Sequence, residues 1–172
     1  MVKWLVSKKI DRNYLEITSL DNLKESNNPN KKYFVEFIDP VDFQLNRFFY
    51  KNVGKKHNWV DRLNWSDKQW IDYVSDKKVE TYVLKENKNF VGYFELNLHH
   101  DNNEIEIAYL GLLEEYINKK LGSYLLSSAI KFSFLKKPKR VWVHTCSLDH
   151  KNALNNYISR GMKIFRKETI SL

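Results

Sequence analysis

Apolar positions along this chain change period repeatedly, and each change marks an element. Strand-like alternation at about 14–18 and 33–38 flanks a polar stretch over 20–32 that reads as a surface loop. Asp39 followed by Pro40 is a helix-start signature, and Val41, Leu45, Phe48 and Phe49 recur at helical spacing, which predicts a helix over 40–51 ended by Gly54. Ser66 with Gln69 three residues later forms a capping-box pattern ahead of Trp70, Ile71 and Val74, predicting a second helix over 66–76. Three strand-like runs follow, VETYVLKE, NFVGYFELNL and EIEIAYLGLL, separated by the turn-formers ENKN and HHDNN. They read as an antiparallel meander. Helical period returns from Leu121 to Phe134, Pro138 stops it, and RVWVHTC is a buried strand. Ala153, Leu154, Tyr157 and Ile158 mark a last helix closed by Gly161, before MKIFRKETISL resumes strand character. The order ββααβββαβαβ, without internal repeat, predicts one α/β domain over 1–172. Its sheet is mixed and mostly antiparallel, with a strand–helix–strand crossover near the end.

Composition supports a folded chain. With 172 residues, 42% apolar and 15% aromatic, it buries enough surface to offset chain entropy. No apolar run reaches the roughly 18 residues of a membrane span, and the apolar core of MVKWLVSKKI is too short for a secretory signal, so a cytoplasmic location without membrane partner is expected. One cysteine, Cys146, precludes an internal disulfide, and five scattered histidines show no ligand spacing, so no metal is expected. The net charge of +8 suggests an anionic partner. Yet 23 Lys stand against 6 Arg, beside 18 Asn, whereas nucleic-acid grooves favour Arg. Nucleic acid is therefore not the expected partner.

The most informative segment is Glu106 to Leu126, EIAYLGLLEEYINKKLGSYLL, where a strand passes through a short charged loop into a helix beginning near Gly122. Unpaired N–H groups at a helix N-terminus bind phosphate, and Lys119 and Lys120 add positive charge. An ordinary strand-to-helix turn with solvated lysines is the competing interpretation of the loop alone.

This segment resembles the pyrophosphate loop of the GNAT superfamily of acyl-CoA-dependent N-acyltransferases, R/Q-x-x-G-x-G/A. The resemblance extends to YKNVGKKHNWVDR at 50–62 and to VWVHTCSLDHKNALNNYISRGMKIF, covering most of 46–170. Ile117, Asn118 and Lys120 depart from the family pattern, and Gly122 keeps it. Asn tolerates left-handed backbone angles, so Asn118 is compatible with the turn.

The resemblance implies a GNAT fold, with helices on both sheet faces, and direct acetyl transfer from acetyl-CoA, as cosubstrate, to a primary amine, expected to be a small molecule. It assigns the cofactor to Leu110, Leu112, Ile117, Asn118, Lys119, Lys120, Leu121, Gly122 and Ser123, with His150 beside the pantetheine arm. Tyr157 takes the place of the tyrosine that protonates the departing thiolate, and Glu106 that of a general-base glutamate. Glu95 on the neighbouring strand competes for the base role. Tyr50, Trp59, Arg62, Trp65 and Glu95 are candidate acceptor-site residues, because tryptophan faces attract cations and carboxylates offset an ammonium. His144 fits a core position somewhat better than the acceptor channel. No His–Asp relay surrounds Cys146, which disfavours a covalent acyl-enzyme. The rival to catalysis is a noncatalytic module that binds acyl-CoA or nucleic acid.

Overall fold

A computed structural model describes residues 9–171, so most of the opening segment MVKWLVSKKI lies outside the described residues. The elements are β1 (Lys9–Ile17), β2 (Tyr33–Phe37), α1 (Phe43–Gly54), α2 (Asp67–Val74), β3 (Val79–Glu86), β4 (Asn89–His99), β5 (Glu104–Leu112), α3 (Leu121–Phe134), β6 (Arg140–Cys146), α4 (Ala153–Ser159) and β7 (Lys163–Ser171). The seven strands form one sheet in the order β2-β3-β4-β5-β6-β1-β7. All neighbours are antiparallel except β5 and β6, which α3 connects in a parallel crossover.

One face is covered by α3, whose Leu121, Leu125, Leu126, Ala129 and Ile130 pack on Phe94, Leu96, Ile105, Ile107, Val141 and Val143. The other carries α1, with Phe49 and Val53 against Val83 and Tyr93. Each such fully buried side chain contributes roughly 1.5–3 kcal/mol, so these two layers dominate stability. The helices therefore fix the sheet from both sides, as the expected fold class requires.

Three local expectations change. The first helix starts at Asp42, whose carboxylate accepts from the N–H groups of Gln44 and Leu45, and Asp39–Pro40 precedes it. Gly54 is its last helical residue rather than its stop. The strand expected at 14–18 spans Lys9–Ile17 and inserts between β6 and β7, far from β2. The polar stretch between them is tied to the body of the fold: Ser26 N–H donates to Ser127 Oγ on α3, and Lys24 N–H to the Arg160 carbonyl. Gly161 makes that last contact possible. At φ +97° it turns the chain after α4, and a Cβ there would lie 2.0 Å from the Asn22 carbonyl oxygen.

Two irregularities of the sheet position the site. The parallel ladder holds only from Glu104/Arg140 to Glu106/Trp142, after which β5 and β6 no longer pair. On the other side of β5, the register with β4 shifts between Glu95/Tyr109 and Leu96/Ile107, so Ala108 is an extra residue. The bulge places Tyr109 on the α1 face directly after Ile107 on the α3 face.

Candidate active site

Where β5 and β6 separate, a cleft of about 960 Å³ opens. Its walls are β5 from Glu106 to Leu112, the loop into α3, the β6 end with Val143, His144 and Cys146, the residues of α4 around Tyr157, and the α1–α2 connection at 57–62. The cleft has two chemically different ends.

At one end, the loop into α3 is shaped by its backbone. Asn118 and Lys120 both adopt left-handed angles, φ 65° and 61°, so non-glycine residues provide the turns at these two positions. Lys120 caps α3 without a side-chain hydrogen bond. The N–H groups from Asn118 to Ser123 find no acceptor among the described residues and stand at the positive end of a 14-residue helix. Around Gly122 space is open: a Cβ would come no closer than 3.9 Å to Asn156 Nδ2 or Leu112 Cδ1. Asn156 donates to the Gly122 carbonyl at 3.2 Å and ties α4 to this turn.

Leu110, Leu112, Ile117, Asn118, Lys120, Gly122, Ser123 and His150 line the cleft, as do Glu106 and Tyr157. Two expected cofactor contacts do not lie in its wall. The Leu121 side chain is fully buried in the α3 core, and Lys119 Nζ sits 5.0 Å over the Tyr116 ring. Leu121 retains only its N–H group for a ligand, and the exposed Lys119 ammonium lies outside the cleft wall.

Tyr157 is 8% exposed. Burial, aided by the negative charge of Asp149, pushes its phenol well above the usual tyrosine range, so it is protonated at neutral pH and able to donate. Asp149 shapes the adjoining loop by accepting from Thr145 Oγ1 at 2.6 Å and Cys146 N–H at 2.9 Å. Across the cleft mouth, His57 and His150 meet edge to face at 6.0 Å, and burial lowers the His57 basicity.

At the other end the α1–α2 connection forms the wall. Trp59 meets Tyr109 edge-on at 4.8 Å and Tyr50 at 5.7 Å. It approaches so closely because residue 54 is glycine, where a Cβ would lie 2.5 Å from the Trp59 Cβ. Trp59 and Arg62 are in the cleft wall, but Tyr50, Trp65 and Glu95 are not. Tyr50 is fully buried behind Trp59 and accepts from the Arg62 N–H through its hydroxyl. Trp65 packs edge-on against Trp70 at 5.0 Å.

Glu95 is fully buried and fully engaged: Asn46 donates to one oxygen at 2.8 Å, Arg62 and Tyr73 to the other at 2.9 Å. Its oxygens are taken up by these donors, and it is not among the residues lining the cleft. The Arg62 guanidinium, 3.9 Å from the Tyr73 ring centroid and 4.4 Å from that of Tyr109, is caged by aromatics. Burial lowers its pKa, but the Glu95 charge and hydrogen bond together with Tyr73 and Tyr109 outweigh burial and raise it. Arg62 lines the cleft, and its ion pair with Glu95 pins the α1–α2 connection onto β4.

His144 departs from the core expectation: it is exposed on the cleft side of β6, with Tyr14 at 5.7 Å, while Val141 and Val143 pack in the core with α3. Residues the sequence reading missed in the cleft include Asn97, His57 and Asn156. Alternation along β4 from Glu95 was the one available signal, and it points to Asn97.

A model of the acetyltransferase (GNAT) family matches residues 43–162, which contain the loop, α3, Glu106 and Tyr157. The chain belongs to the GNAT acetyltransferase family. Solved structures with the same fold include a GCN5-related N-acetyltransferase from Sphaerobacter thermophilus, at TM-score 0.69 and 13% identity, covering 94% of this chain and 51% of that one. A functionally unknown conserved protein from Staphylococcus epidermidis gives 0.66 and 15%, covering 96% and 62%. Spermidine N-acetyltransferase from Vibrio cholerae, in complex with CoA and spermine, gives 0.63 and 14%, covering 83% and 96%. This GNAT chain spans 51–64% of the length of the first four such structures. No curated protein matches its sequence. Among the described residues, no helix is long and apolar enough to cross a membrane.

Proposed function

We propose that this GNAT domain moves an acetyl group from acetyl-CoA directly to the primary amine of a small cationic molecule. The observation that carries the reading is the continuity of one cleft, from the free N–H groups of the Asn118–Ser123 turn past Tyr157 to Glu106. A pyrophosphate fits the turn, whose donors are unpaired and whose Gly122 leaves room for it. Acetyl-CoA supplies the thioester acetyl group there. Glu106 takes a proton from the acceptor ammonium, leaving a neutral amine nucleophile. A carbon–nitrogen bond forms at the acetyl carbonyl, the carbon–sulfur bond breaks, the Tyr157 hydroxyl gives its proton to the departing sulfur, and the remaining excess proton on the amide nitrogen restores the phenol. Asp61 and Glu106 in the cleft wall favour a cationic acceptor, and the Trp59 ring adds an aromatic edge. Spermidine and aminoglycosides, the substrates named for two fold relatives, are the first amines to try.

Thiol release from acetyl-CoA, measured against a panel of polyamines, aminoglycosides, amino acids and a lysine peptide, tests the reading. Turnover with a cationic amine is expected, falling about 10²-fold or more in Tyr157→Phe while acetyl-CoA affinity holds. Binding of acetyl-CoA with no amine turned over would leave a noncatalytic acyl-CoA-binding module.

A further inference from the structure

Glu106 has a single side-chain hydrogen bond among the described residues, and it involves a histidine that no family pattern brought forward. His99 Nε2 lies 2.9 Å from Glu106 Oε2. His99 ends β4, where it faces Glu104 in the ladder while Asn97 faces Glu106, so the imidazole reaches Glu106 diagonally across one sheet face. Its ring stacks on Trp142 at 5.7 Å and 27°, and Trp142 is the register partner of Glu106 on β6. The ring is thus held by an indole on its face and by a carboxylate at its edge.

Of the other charged groups on this face, Arg140 bonds Glu104 and Glu16, both at 2.9 Å, and Arg12 lies 3.6 Å from Glu168. His144 feels the Glu106 charge but makes no hydrogen bond to it among the described residues. The Glu106 side chain is only 15% exposed, against 42% for His99. Water therefore has limited access to the carboxylate, and its orientation depends on this imidazole.

We infer that His99 is a positioning residue for the general base: its Nε2–H holds Glu106 Oε2 and leaves Oε1 as the oxygen that receives the proton of the amine. The inference rests on Glu106 being the base proposed above. A carboxylate turning freely about its terminal torsions would spend much of its time with neither oxygen toward the acceptor, and misplacement of about 1 Å is enough to cost two orders of magnitude in rate. The hydrogen bond removes that freedom before substrate arrives, and the Trp142 stack keeps the imidazole from following the carboxylate.

Two measurements test it. Ring ¹⁵N NMR of the whole protein reads the tautomer without any substrate: the His99 signal should show a protonated Nε2, and a neutral Nδ1–H form would overturn the proposal. Kinetics with the amine that gives the fastest thiol release provide the second. His99→Ala should lower kcat about tenfold with the KM for acetyl-CoA unchanged, and His99→Gln, which loses the Trp142 stack but keeps an N–H at the same reach, should recover most of the rate. If His99→Gln is as slow as His99→Ala, the hydrogen bond is not what matters and the assignment falls. If His99→Ala runs at the parental rate while Glu106→Gln is slow, the base stands and His99 is dispensable. If Glu106→Gln itself runs at the parental rate, the base reading fails instead. Should no amine be turned over, the tautomer still decides whether His99 holds this carboxylate.

Discussion

The two ends of the cleft are built by opposite means. The loop into α3 uses backbone: two left-handed residues, six N–H groups without partners and the open space above Gly122. The α1–α2 connection uses side chains from distant segments, with Arg62, Glu95, Asn46, Tyr73 and Tyr109 locked into one buried cluster. A backbone device tolerates changes of side chain so long as the turn can form, which is how Asn118 and Lys120 stand where glycine is common. A side-chain device has no such latitude, because each partner left alone would be a buried unpaired polar group.

That contrast makes different substitutions damaging at each end. The largest effect is expected at Gly122. Millimolar acetyl-CoA should raise the melting temperature of the parent by selective binding to the native state. Gly122→Glu fills the open space with a side chain of the wrong charge, and should abolish that shift while the unliganded melt changes little. A retained shift, measured by scanning fluorimetry, would move the pyrophosphate away from this turn.

At the opposite end the damage should fall on the fold instead. Glu95→Ala leaves the guanidinium of Arg62 buried without its counter-charge, which typically costs about 3–5 kcal/mol. For a chain of this size that corresponds to a melting temperature lower by roughly 10 °C. Combining it with Arg62→Leu should cost less than the sum of the two single changes, since the double variant strands no charge. Additive losses would show that the two side chains do not act as a pair.

The same contrast explains what the sequence disclosed. Local signals were legible: the Ser66/Gln69 box is present with both hydrogen bonds, and the period changes located the strands and α-helices, though not all of their ends and not the short 3-10 turns. The turn into α3 was legible too, since it is one contiguous segment. Asp39–Pro40 misled because Asp42, three residues on, is an equally good cap, and the fold uses it. The Arg62–Glu95 pair was hidden because its partners are 33 residues apart, so alternation along β4 reveals the face of Glu95 but not what sits on it. Likewise the extra residue at Ala108, the insertion of β1 beside β6 and the contact of His99 with Glu106 are products of pairing between strands. No window of local sequence contains them.

The smallest effect sharpens the comparison at the α1–α2 end of the cleft, where the side-chain device meets solvent. Asp61 directly precedes the pinned Arg62, lies in the cleft wall and is exposed. Its position is therefore set by the buried cluster while its charge remains in water. Two unit charges about 4 Å apart in water attract by only about 1 kcal/mol, and salt screens exposed charges further. Asp61→Asn should accordingly raise the KM for a cationic amine severalfold, with kcat and acetyl-CoA affinity unchanged, because an attraction present equally in ground and transition states affects binding alone. At about 1 M salt, where the screening length shrinks to roughly 3 Å, parent and variant should converge. A KM that stays equal at low salt would place the acceptor's charge away from the α1–α2 connection. A loss in kcat would mean that Asp61 touches the reacting amine itself.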